Sequence, residues 1–109
     1  MARVVAVVPD LMFASRVEAT LGAAGHEVEL ASSPRAAELG AADVVIVDLG
    51  EIDPGLLSDG GAPVLGFYSH VDVETRERAE SAGVELIVPR SRMAREMPAL
   101  VESLLSRSG

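Results

Sequence analysis

The stretch DVVIVDLG, residues 43–50, closes an apolar run on an acid, Asp48. A carboxylate placed there either reacts with something or marks where the chain returns to water, and the local sequence leaves both open. Ser69 and His70 are adjacent and, with Asp48, have the residue types of a hydrolase triad. Neighbours on extended chain point to opposite sides, however, and no G-x-S-x-G elbow is present. His26 and His70 lack Cys or HxxxH companions, so they read as loop residues rather than transition-metal ligands. The chain holds neither GxGxxG nor GxxxxGK[ST], and DGGAP, residues 59–63, precedes a strand instead of opening a helix, so it reads as a turn. Asp10 is placed to cap the first helix, where free N–H groups and the helix dipole favour an acid.

The net charge of -8 excludes most phosphate-backbone binding, which needs a surplus of cations. Two Phe, one Tyr and no Trp leave little surface for stacking single-stranded bases. A nucleic-acid partner is therefore not expected. All nine basic residues are Arg, so no lysine chemistry is available anywhere in the chain. The absence of Cys excludes disulfides, thiolate nucleophiles and Cys-ligated zinc, and is compatible with a cytoplasmic protein. The apolar run VVAVV ends at Pro9-Asp10, too short for a signal sequence or membrane span. A length of 109 residues fits a single domain, 1–109, with a core of Val, Leu, Ile and Ala.

Five β-branched segments must position the reactive groups: RVVAVV (3–8), EVELA (27–31), DVVIVD (43–48), PVLGFY (63–68) and ELIV (85–88). Their mostly continuous apolar character suits parallel strands covered on both faces. Between them lie helical patterns. Phe13, Val17, Leu21 and Ala24 form one apolar stripe, stopped by Gly25. Ser33 and Pro34 open a short second helix with Ala36, Ala37 and Leu39 on its face. Residues 51–61 hold at most about two turns, helix or open loop, before their glycines. Ser69, three residues before Asp72, gives capping-box-like spacing for a polar helix ending at Gly83. The last pattern, 91–105, carries Met93, Met97, Leu100, Val101, Leu104 and Leu105, with a break expected near Met97 because Pro98 cannot donate a helical hydrogen bond.

Strand and helix alternate five times, which predicts a doubly wound α/β fold with a parallel sheet. Ligands of such sheets bind beyond the carboxyl ends of the strands. The candidate positions are then Asp10, Asp48 to Gly50, Tyr68 to His70, and Pro89 to Ser91.

With these segments in place, the chain resembles the receiver domain of bacterial two-component response regulators, the CheY-like family. VVAVVPD resembles the family's first strand with its acidic end, AAGHEVELASSPRAAELG the second strand and helix, DVVIVDLG the third strand with its phospho-accepting aspartate, and PVLGFYSH and ESAGVELIVPRSR the fourth and fifth strands. The resemblance covers nearly the full chain and implies a flavodoxin-like five-stranded sheet in the order 2-1-3-4-5. It puts the phospho-acceptor on Asp48 and a weak Mg²⁺ site on Asp10, Asp48 and the Gly50 carbonyl. The family's first acid is replaced by Pro9, its Ser or Thr falls on Tyr68 with Ser69 next, and its lysine falls on Arg90. Arg is a wider, planar donor than Lys, and fewer oxygens hold a hard cation less well.

The resemblance supports two readings. In the first, the chain is a stand-alone, non-enzymatic receiver-like module with a degenerate phosphorylation pocket, requiring no cofactor and acting through protein contact. In the second, Asp48 accepts a phosphoryl group from a histidine kinase or small donor with Mg²⁺ present, and Arg90 pairs with it. Arg90, Arg92 and Arg95 lie in an acid-free window, 89–95, which is either a solvated helix start or a patch for an acidic target surface.

Overall fold

The computed structural model describes residues 2–33, 39–69 and 72–108, with the backbone alone at 58–60 and 107–108. Strands β1 (Arg3–Val7), β2 (Glu27–Ala31), β3 (Val44–Asp48), β4 (Val64–Tyr68) and β5 (Leu86–Pro89) form one sheet in the order β2-β1-β3-β4-β5. Every pairing is parallel, with Val4 opposite Val44, Val45 opposite Val64, and Leu65 opposite Leu86. β2 and β5 are the outer strands.

Alternation along the strands divides the apolar side chains between two faces. Val4, Ala6, Ile46, Leu65 and Phe67 pack against α1 (Leu11–Ala23) and α3 (Arg90–Ser108). Val5, Val7, Val45, Val47 and Leu49 pack on the other face with Leu57 and Ala79, which come from a 3-10 helix (Pro54–Gly60) and from α2 (Val73–Ser81). Both faces of β3 are thus covered, and all five of its residues are buried. That is why its sequence reads as a continuous apolar run.

α1 buries Phe13, Ala14, Val17 and Leu21, as its spacing predicts, and ends before Gly25, whose φ of 93° suits a residue without Cβ. Ala24, expected on the buried stripe, is exposed at the cap. The expected second helix falls largely on residues 34–38, outside the described residues; the chain beyond it forms a short 3-10 turn, Leu39–Ala41. The abbreviated third connection is the 3-10 helix, opened by the Asp53 side chain accepting from Gly55 N at 3.0 Å.

α2 begins later than the Ser69 spacing suggests. Asp72 is extended and its Oδ1 accepts from Glu74 N and Thr75 N at 2.9 and 3.3 Å, so Asp72 is the cap and Ser69 remains part of the strand exit. α3 starts directly at Arg90 and is interrupted at Glu96, with φ -117° and ψ 15°, one residue before the expected break. Pro98 then falls in the first turn of the second segment, where a missing N–H costs little. No helix among the described residues is long and apolar enough to cross a membrane.

Candidate functional site

The carboxyl ends of β1, β3, β4 and β5 surround a cleft of about 580 Å³, lined by Asp10, Asp48, Gly50, Tyr68, Ser69 and Arg90. Residues distant in sequence are thus brought to one opening by the parallel arrangement. Asp48 ends β3 at the cleft floor and is only 5% exposed. Its Oδ1 accepts from Gly50 N at 3.0 Å, and its carbonyl accepts from Glu51 N and Ile52 N at 3.2 and 2.9 Å. The side chain therefore does organise the turn after β3. Its other carboxylate oxygen has no hydrogen-bond partner among the described residues.

Asp10 caps α1: Oδ1 accepts from Met12 N at 3.0 Å and Phe13 N at 3.3 Å. Its Oδ2 accepts from Arg90 Nη2 at 2.5 Å, joining positions 80 residues apart. The guanidinium carbon lies 4.4 Å from the Phe13 ring centre and 6.0 Å from that of Phe67, and the two rings are 4.8 Å apart. Arg90 is consequently held by a charge at its fork and by aromatic faces beneath it. Its hydrogen-bonded carboxylate is that of Asp10, at the end of β1, rather than that of Asp48.

The two acids experience opposite environments. The hydrogen bond from Arg90, followed by those from the Phe13 and Met12 amides, holds Asp10 below the ordinary carboxylate range. Burial pushes Asp48 up, and the neighbouring Glu51 and Asp10 charges add to that; the Gly50 amide and the more distant Arg90 charge oppose it.

Tyr68 is half-buried at the end of β4, Ser69 is exposed just beyond it, and both line the opening. Glu51, Asp72 and Thr75 also line it, and sequence reasoning did not select them. Thr75 had no signal, since the cap three residues before it, Asp72, is identified only by the structure. Glu51 had none, because the turn that brings it to the opening was undefined.

Arg92 and Arg95 are less free than the acid-free window suggests. Glu96, one residue beyond it, lies 3.3 Å from Arg92 Nε and 3.7 Å from Arg95 Nη2. His26 occupies a loop as expected, but its side chain is 5% exposed: Nδ1 accepts from Ala2 N at 3.3 Å, and Nε2 lies 3.1 Å from Glu102 Oε1 without hydrogen-bond alignment. His70 lies outside the described residues.

A five-stranded parallel sheet in the order 2-1-3-4-5 flanked by helices is the fold of CheY-like response regulator receiver domains. The chain is similar to a CheY-like receiver domain protein of Methanospirillum hungatei, with TM-score 0.86 and 16% identity over 98% of this chain and 95% of that one. Chemotaxis response regulator CheY4 of Vibrio cholerae superposes with TM-score 0.81 and 22% identity over 96% and 99% of the respective chains. NtrX of Brucella abortus gives TM-score 0.83 and 21% identity over 98% of this chain, which spans 27% of NtrX. No family model and no curated protein matches the sequence.

Proposed function

We propose that this chain is a receiver-like signalling module that acts by protein–protein contact and whose phosphorylation pocket is degenerate. The observation that carries this reading is the Arg90–Asp10 pair at 2.5 Å. Transfer of a phosphoryl group to a carboxylate brings two anionic groups together, and a divalent cation ordinarily offsets that repulsion. Here both Asp10 oxygens are committed, one to the α1 amides and one to Arg90. Pro9 contributes no side-chain oxygen, and no group of three His, Cys, Asp or Glu among the described residues could hold a metal. Mg²⁺ is a hard cation that needs several oxygens in near-ideal geometry, and this donor set does not suit it.

The surface beside the cleft supports contact with a protein. Leu11 and Met12 are 78% and 86% exposed at the start of α1. Met12 and Arg16 line a groove with Pro89 and Ala94, and Arg16 has no ion pair among the described residues. An acidic target surface carrying an apolar side chain fits this mixture better than a purely electrostatic dock on Arg92 and Arg95.

A second reading has one observation in its favour: the unpartnered oxygen of Asp48 borders the opening. In that reading a histidine kinase or small donor phosphorylates Asp48 with Mg²⁺ at Asp10, Asp48 and the Gly50 carbonyl. Incubation with Mg²⁺ and acetyl phosphate, followed by intact-mass measurement beside an Asp48→Asn control, decides between the two. The degenerate pocket predicts no adduct. A phosphoryl adduct present in the wild-type protein and missing in the control establishes the second reading instead.

A further inference from the structure

We propose that Arg90 is a built-in cation, occupying the electrostatic place of a divalent ion in the cleft and thereby excluding one. The inference rests on the reading of the pocket as degenerate and adds one side chain to its causes, beyond the oxygen that Pro9 does not supply. Asp10, Asp48, Glu51 and Asp72 face the opening, and Arg90 is the only basic residue on its lining among the described residues. Such an excess of negative charge would gather cations from solution if nothing inside neutralised it. The guanidinium answers it from within: it hydrogen-bonds Asp10 at 2.5 Å and its charge is also felt by Asp48.

Three features make Arg90 hard to displace. Its fork holds Asp10 Oδ2, which an incoming metal would need as a ligand. Its flat face lies 4.4 Å from the Phe13 ring, so moving it also gives up a cation–π contact. The backbone leaves no slack, because Arg90 directly follows Pro89 at the end of β5 and begins α3. A compact ammonium on a flexible stem would not share the stacking of the planar guanidinium on Phe13. Removing the guanidinium while keeping the acids frees Asp10 Oδ2 and should therefore raise the affinity of the cleft for a divalent cation.

Mn²⁺ serves as the probe, with the fall of its free-ion EPR signal reporting binding in the absence of any phosphodonor. Arg90→Met retains packing on Phe13 and removes the charge; Arg90→Gln is the second variant should Met disturb the fold. The expected result is that the folded Arg90 variant binds Mn²⁺ at least tenfold more tightly than wild type, and that adding Asp10→Asn abolishes the gain. Equal affinity of wild type and a folded Arg90 variant would refute the inference. So would a gain that survives Asp10→Asn, or wild-type binding already lost on Asp10→Asn alone. A phosphoryl adduct on a wild-type protein that still fails to bind Mn²⁺ sinks the functional reading and leaves the role of Arg90 standing.

Discussion

Gly66 offers a direct test of how tightly the cleft floor is braced from below. It sits in β4 opposite Val47 and Ile87, and a Cβ added there would lie 2.8, 2.9 and 3.0 Å from Cδ1, Cγ and Cδ2 of Leu49. Carbon atoms pack favourably at roughly 3.5–4.0 Å, so Gly66→Ala forces an overlap of about 0.5–1 Å with three atoms at once. One of these is the branch carbon Cγ, which rotation about χ2 cannot move aside. Overpacking of this kind costs about 1–3 kcal/mol. Replacing Gly in a strand returns roughly 0.5–1 kcal/mol through the reduced entropy of the unfolded chain. The net expectation is a loss of about 1 kcal/mol, a fall in Tm of about 4–8 °C for a domain near this size, measured by urea and thermal unfolding. Because Leu49 immediately follows Asp48 and its amide donates to the Phe67 carbonyl at 2.9 Å, the strain is delivered next to the cleft floor. Leu49→Ala alone should cost about 2–5 kcal/mol, and the methyl at 66 should fill part of the space it leaves, so the double variant should lose at least about 0.5 kcal/mol less than the sum. A Gly66→Ala protein as stable as wild type, or a strictly additive pair, refutes the reasoning.

Charge and helix geometry give further expectations. The folded state raises the proton affinity of Asp48 above its ordinary value of 3.8, so the native protein holds this proton more tightly than the unfolded chain and loses stability as pH rises through that window. Asp48→Asn cannot titrate; its stability relative to wild type should climb across the same window and level off above it, and a difference independent of pH in urea titrations would contradict the assignment. Pro98→Ala should change stability by less than about 1 kcal/mol, rather than the roughly 3 kcal/mol of a proline inside a regular helix, because the break at Glu96 already places Pro98 in a first turn. Chemical denaturation with far-UV circular dichroism measures both the stability and any gain in helix content.

Strand positions were legible where burial on two faces leaves a continuous apolar run, as in β3; the half-exposed edge segment EVELA at 27–31 is strand throughout, and the other four segments end within a residue of their sequence limits. α1 was equally clear from Phe13, Val17 and Leu21. The start of α2 was not, since Ser69 and Asp72 are both good caps and only the exit of β4 decides between them. The strand-end residues of the cleft were foreseeable as a set, because a parallel sheet must collect the ends of β1, β3, β4 and β5, whereas Glu51, Asp72 and Thr75 on its rim were not. Their pairing was not foreseeable. Whether Arg90 turns to Asp10 or Asp48 depends on Phe13 and Phe67 lying beneath it, a contact that no spacing encodes.

The outer strands have a consequence for colloidal behaviour. A parallel sheet with open margins invites a further chain to add alongside. On one margin, β2 carries Glu27 and Glu29, both near Arg3 of the adjacent strand at 3.9 and 2.6 Å, so an approaching copy meets charge already anchored in place. On the other, β5 is four residues long and ends in Pro89, which has no amide hydrogen to donate to a newcomer. Strand-by-strand growth into fibres is thereby discouraged at both flanks.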